Sequence, residues 1–95
     1  MEKNKVELSR LSQKQLLKAP KHIVEATLKW VSSVERIGLL ETRKTGGKGL
    51  HDEPLSGELK GLRSIRLNKS WRLYYREIKD EVTLVFVERI DAHKY

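Results

Sequence analysis

The chain has 95 residues, enough for one small domain, and contains 20 lysine and arginine residues against 13 aspartate and glutamate residues. The formal net charge is therefore +7, and no cysteine is present, which excludes disulfides and thiolate metal sites. The longest apolar run, residues 82–87, is too short to span a bilayer, and the N-terminal residues lack the apolar segment of a signal peptide. We expect a single domain over residues 1–95 in a soluble, cytoplasmic protein without a membrane partner.

The positive charge is concentrated in the middle of the sequence. Residues 43–76 contain nine basic and three acidic side chains, which gives this segment a charge of +6. Clustered positive charge attracts polyanions, because their binding releases condensed counterions. The distribution therefore favours a nucleic acid or an acidic protein as the partner.

The N-terminal half predicts one strand and two helices. Residues 5–10 alternate apolar and polar side chains, as a short strand does. Ser12 opens a capping-box pattern, so we expect a first helix to begin there and to end before Pro20. Apolar residues at three- and four-residue spacing predict a longer helix over residues 21–37. Residues 39–49, with three glycines, predict a mobile connector.

The second half changes to the two-residue period of β-strands. Residues 62–68 and 71–76 each alternate large apolar side chains with polar ones, and a short turn separates them. Residues 81–90 are apolar on both faces, as a central strand is. We therefore predict an α+β fold, in which two N-terminal helices pack on one face of a small, mainly antiparallel four-stranded sheet. The opposite face would carry arginines.

Several motifs stand in an order found in a known family. They are His51-Asp52-Glu53-Pro54-Leu55-Ser56-Gly57, Ser64-Ile65-Arg66-Leu67, Trp71-Arg72-Leu73 and the closing His93-Lys94-Tyr95. The chain thereby resembles the RelE/ParE superfamily of toxins from type II toxin–antitoxin modules. The resemblance implies a RelE-like fold and a ribosome-dependent endoribonuclease that cleaves mRNA in the decoding site. It also implies a cognate antitoxin that forms a hetero-oligomer with the toxin, and no cofactor.

Likeness to the YoeB branch of the superfamily implies catalytic roles for Glu53, Arg72 and His93, with Tyr95 as a fourth candidate. In YoeB toxins the closing histidine and tyrosine are adjacent, whereas Lys94 separates them here. RNA cleavage without a metal ion needs a base for the 2′-hydroxyl, a cation beside the phosphate and an acid for the 5′-oxygen. The sequence leaves open which of Glu53 and His93 is the base, while Arg72 has the planar donors that suit a phosphate. Tyr95 could stack on a displaced base.

Four further residues are candidates for RNA binding. By alternation Arg66 lies on the same face as Arg72, where it could hold the same phosphate or its neighbour. His51 is a reserve base or acid. Lys48 and Lys60 could contact the backbone of ribosomal RNA without reading its sequence. His51, Lys48 and Lys60 could instead be solvated surface residues.

Two other functions stay open at this point. The ParE members of the superfamily inhibit DNA gyrase and cut no RNA, and a protein of that kind would need no acid–base pair. A non-catalytic member would act only by binding its antitoxin or a nucleic acid. The presence of Glu53, Arg72 and His93 together favours the nuclease.

Overall fold

The structure is a computed structural model that describes residues 4–45, 51–78 and 83–92. In chain order these residues form β1 (Asn4–Leu8), α1 (Arg10–Lys18), α2 (Lys21–Ile37), α3 (Leu39–Thr45), β2 (Glu53–Pro54), a 3-10 turn (Gly57–Leu59), β3 (Arg63–Arg66), β4 (Trp71–Ile78) and β5 (Thr83–Ala92). Within these ranges, no helix has both the length and the apolar character needed to cross a membrane.

The strands form one five-stranded sheet in the order β1-β5-β4-β3-β2. Strands β2 to β5 pair antiparallel to their neighbours, and β1 pairs parallel to β5. The predicted α+β fold with a mainly antiparallel sheet is confirmed. Strand β2 was not predicted, because it has two residues, one of them a proline that cannot donate to a strand ladder.

Helix α1 begins earlier than the capping-box pattern predicts. Ser9, not Ser12, is its N-cap, because the Ser9 Oγ accepts a hydrogen bond from the Ser12 N–H at 3.0 Å. The Ser12 side chain is buried and its hydroxyl lies 3.3 Å from the Val87 carbonyl oxygen on β5. The Ile90 N–H, near the end of β5, donates to the Gln15 Oε1 at 2.6 Å. The serine and glutamine of the pattern thus attach α1 to β5.

Helix α2 follows the predicted apolar periodicity, with Ile23, Thr27, Trp30 and Val34 as its buried residues. It ends at Gly38, whose φ of 88° is in the left-handed region that favours glycine. The prediction of a connector from residue 39 is wrong for residues 39–45, which form α3. In α3 the Thr42 hydroxyl is 2.7 Å from the Gly38 carbonyl oxygen and 2.9 Å from the Ser33 hydroxyl. The rest of the predicted connector, residues 46–49, lies outside the described residues.

The core combines helix and strand side chains in one cluster. Its buried members are Trp30, Val34, Leu39, Ile65, Leu73, Tyr75, Val87 and Ile90. The ring centroids of Trp30 and Tyr75 are 5.2 Å apart, which joins α2 to β4. Because side chains alternate along a strand, the neighbours of Ile65 on β3 and of Leu73 on β4 lie on the opposite face of the sheet. The alternation predicted for β3 and β4 is therefore confirmed, with Arg66 and Arg72 on the face away from this cluster.

Candidate functional site

Strand pairing assembles a polar face from β2, β3, β4 and β5. Directly paired residues in antiparallel strands point to the same side of the sheet. One row across the strands therefore contains Glu53, Ser64, Tyr74 and Arg89, and the next contains Arg66, Arg72 and Asp91. This side of the sheet, defined by those seven residues, is called the arginine face below.

Two arginines face each other at the centre of the arginine face. Arg66 on β3 pairs directly with Arg72 on β4, and both are half-buried. Like charges in this position repel each other. The Nε of Arg66 is buried without a hydrogen-bond partner among the described residues. A phosphate group between the two guanidinium groups would neutralise their charge and accept their free N–H donors.

A third arginine of the face is neutralised by a neighbour. The Nε of Arg89 is 2.8 Å from Oδ2 of Asp91, an ion pair without the angles of a hydrogen bond. The Arg89 Cζ also lies 4.6 Å from the centroid of the Tyr74 ring, a cation–π contact. Neither Arg89 nor Asp91 was predicted as a site residue, because β5 was predicted to be apolar on both faces. Their register opposite Tyr74 and Arg72 is the signal that identifies them.

Glu53 contributes a carboxylate to the same face. Glu53 is exposed on β2 and pairs with Ser64 on β3, and β3 lies between β2 and β4. Strand spacing and the rise per residue place the Cα atoms of Glu53 and Arg72 about 12 Å apart. That separation allows both side chains to reach one bound nucleotide. The structure therefore places Glu53, Arg66 and Arg72 on the same face of the sheet.

Two other predicted site residues, His51 and Lys60, are described and do not belong to the rows of the arginine face. His51 is exposed in the segment before β2, with a left-handed φ of 45°. Lys60 is exposed in the loop between β2 and β3. It lies before the first residue of β3, whereas Arg66 is the last. Lys48, His93 and Tyr95 lie outside the described residues, so the convergence of the tail on the arginine face stays a prediction. In the described part of the chain, no group of three or more His, Asp and Glu residues could hold a metal ion.

A partly buried network lies on the other side of the sheet, next to Glu53. Asp52, whose side chain is 6% exposed, has its carboxylate oxygens 2.7 Å from the Arg63 Nε and 3.2 Å from the Arg43 Nε. The Tyr75 hydroxyl donates to the same carboxylate, and the Arg43 Nη2 donates to the Tyr75 oxygen at 3.1 Å. These four residues, called the Asp52 hub, join α3, β3 and β4 to the start of β2. The hub follows from no sequence motif, because its members are scattered along the chain.

Tyr75 gives the hub a pH dependence. Burial and its hydrogen bond to Asp52 raise the pKa of Tyr75 above the ordinary 10.0. The raised folded-state pKa means that the protonated tyrosine stabilises the fold fully below the unfolded-state pKa, and less as the pH rises above it. We expect this group to lower the free energy of unfolding by about 1.4 kcal/mol per pH unit above about pH 10.

In Tyr75→Phe the free energy of unfolding should not show this fall above about pH 10, since phenylalanine carries no proton to lose. Urea unfolding of both proteins at about pH 9 and about pH 11 measures the difference. Identical slopes of stability against pH would contradict a raised pKa at Tyr75.

The helices and the sheet with its parallel β1 define a RelE-like α+β fold. Among solved structures, the RelBE2 toxin–antitoxin complex from Mycobacterium tuberculosis contains a chain 28% identical at a TM-score of 0.68, with 96% of this chain and 99% of that one covered. The YoeB–YefM complex from Staphylococcus aureus matches at 24% identity and a TM-score of 0.67, covering 94% and 95% of the two chains. A YafQ variant from E. coli matches at 22% identity and a TM-score of 0.62, and the match covers 94% of this chain and 92% of that one.

These structural relatives are toxins of the RelE/YoeB type, so the resemblance stated from the sequence is confirmed. The likeness to YoeB and YafQ, below 25% identity, shows the fold alone. No protein-family model matches the sequence, and no curated protein does.

Proposed function

We propose that the protein is the toxin of a type II toxin–antitoxin module and acts as an endoribonuclease on mRNA in the decoding site of the ribosome. The observation that carries the proposal is the arginine face. It holds two arginines in direct register, a buried Nε without a hydrogen-bond partner among the described residues, and the carboxylate of Glu53. The likeness to RelE/YoeB-type toxins over nearly the whole chain supports the toxin role.

In the proposed reaction, Arg66 and Arg72 hold the scissile phosphate. The phosphate gains negative charge as the transition state forms, and two fixed guanidinium groups stabilise that charge without reorganising. The repulsion between the two arginines destabilises the free protein, and a bound phosphate relieves it. The site is therefore arranged to accept an anion before the substrate arrives.

Proton transfer completes the reaction. Glu53 removes the proton of the 2′-hydroxyl, and the 2′-oxygen attacks the phosphorus atom. The bond from phosphorus to the 5′-oxygen breaks, and His93 donates a proton to that oxygen. The products are a 2′,3′-cyclic phosphate and a 5′-hydroxyl end. Tyr95 stacks on the displaced base, and the reaction uses no metal ion or cofactor.

The ribosome and an antitoxin are the proposed partners. The charge of +6 over residues 43–76 supports binding to ribosomal RNA, with contacts from Lys48, His51 and Lys60. A cognate antitoxin is proposed because RelBE2 and YoeB–YefM were both solved as toxin–antitoxin complexes. The site of action is then the cytoplasm, with the whole chain working as a single domain.

Primer extension on purified ribosomes tests the function. We expect the protein to create new mRNA ends within the decoding-site codon, only when ribosomes are present and less efficiently at high salt. Intact mRNA together with inhibited DNA supercoiling would assign the protein to the gyrase inhibitors. Intact mRNA and normal supercoiling, with tight antitoxin binding, would make it a non-catalytic member.

A further inference from the structure

Strand β2 is weakly held by its own backbone. It has two residues at the edge of the sheet, where Glu53 pairs with Ser64 and Pro54 pairs with Arg63. Proline has no N–H to donate, and the next backbone bond runs from the Leu55 N–H to the Leu62 carbonyl oxygen at 2.9 Å. Short, exposed edge segments open easily, so the backbone alone does not explain a fixed position for Glu53.

The Asp52 hub supplies the missing restraint. Asp52 is the residue before β2, and its carboxylate binds side chains from α3, β3 and β4. Two arginine Nε–H groups and one hydroxyl restrain both carboxylate oxygens, and charged hydrogen bonds of this kind are strong. The Tyr75 ring packs against Trp30 in the core, so the hub is anchored to the most buried part of the molecule.

The hub also determines the direction of the neighbouring side chain. Successive side chains of an extended segment point to opposite faces of a sheet. Asp52 is bound on the side of Tyr75, which belongs to the core cluster. Glu53, one residue later, is therefore directed to the arginine face, in the row of Ser64 and Tyr74.

We propose that Asp52 is the positioning residue of the site: it fixes β2 so that the Glu53 carboxylate meets the substrate held by Arg66 and Arg72. The role assigned to Glu53 rests on the proposed function. The restraint on β2 does not, so the two parts can fail separately.

Asp52→Asn tests the proposal, because it keeps the size of the side chain and removes its charge. On ribosomes we expect kcat of RNA cleavage to fall by about 10- to 100-fold while KM changes little, since a misplacement of about 1 Å has this effect and the arginines remain in place. Tyr75→Phe removes one hydroxyl from the hub and should lower kcat in the same direction by a smaller factor. Glu25→Gln, at an exposed position of α2, is the matched control and should leave kcat unchanged.

Hydrogen exchange provides a readout that is independent of cleavage. In Asp52→Asn the Leu55 amide should exchange about 10-fold faster or more, while amides of β4 keep their protection. If Asp52→Asn does not fold, Tyr75→Phe is measured in the same two assays.

Three outcomes would overturn the positioning role: an unchanged kcat, an unchanged exchange rate at Leu55, or a loss of protection throughout the sheet. The last would show that the hub only stabilises the fold. If wild-type protein cuts no RNA on ribosomes, the proposed function fails, while the exchange rate at Leu55 still decides whether Asp52 fixes β2.

Discussion

Replacing Arg72 with alanine is expected to lower the rate of RNA cleavage on ribosomes by about 10²- to 10³-fold, because the transition-state charge loses a fixed cationic donor. Stability should change little. Arg72 pairs with Arg66 on one side and with Asp91 on the other, so its removal relieves a repulsion and also loses an opposite-charge pair of similar size, and the free energy of unfolding should stay within about 0.2–1 kcal/mol of the wild type. Single-turnover primer extension and urea unfolding measure the two effects. Lost activity without lost stability would show that Arg72 is kept for chemistry.

Two further variants sharpen this result. Arg72→Lys keeps the charge but loses the planar pair of donors, and we expect an intermediate rate. Arg36→Ala removes the same charge from an exposed position of α2 and should leave the rate unchanged at saturating ribosome concentration. A wild-type rate for Arg72→Ala would refute the phosphate role, and so would a loss of activity that simply follows unfolding.

Glu53→Gln is expected to lower the cleavage rate by about 10²- to 10⁴-fold, the usual contribution of a positioned proton transfer. Glutamine has the size of glutamate but does not accept the 2′-hydroxyl proton. Since Glu53 is exposed on an edge strand, the variant should keep the stability of the wild type. Single-turnover cleavage on programmed ribosomes, with the same protein also tested for growth arrest on induction, measures the loss.

Glu58→Gln is the matched control, since Glu58 is an exposed carboxylate in the turn shortly after β2. The double variant Glu53→Gln, Arg72→Ala adds a second test. If both residues act on the same transition state, the double variant should lose less activity than the two single losses multiplied together. The effects of residues that act as a unit are not additive in free energy. A full rate for Glu53→Gln would remove Glu53 from the reaction and leave the arginine face as a binding surface.

The sequence predicts well which face of β3 and β4 carries the arginines, because one local rule is sufficient there. Along β3 and β4 the two-residue alternation separates Ile65 and Leu73 from Arg66 and Arg72. Burial of the apolar set then determines the face of the arginines. The three-to-four-residue spacing of α2 works in the same way.

The remaining features depend on contacts between distant segments. The hub needs α3, β3 and β4 to be in place before the pairing of Asp52 is defined. Strand β2 is too short for a periodic signal, and α3 is mostly polar, with a buried Thr42 that no pattern identifies. The orientation of Glu53 follows from the burial of its neighbour, so a motif that contains Glu53 does not by itself show where it points.

The position of β5 has a consequence for synthesis. It lies between β1 and β4, although β1 comes from the opposite end of the described chain, and α1 binds its backbone at Val87 and Ile90. Such sequence-distant pairing makes folding late and slow. While the nascent polypeptide is still growing, β4 has no strand on one side and the row of Arg66, Arg72 and Asp91 is incomplete. The arginine face is therefore not complete until β5 has been synthesised and has paired with β4.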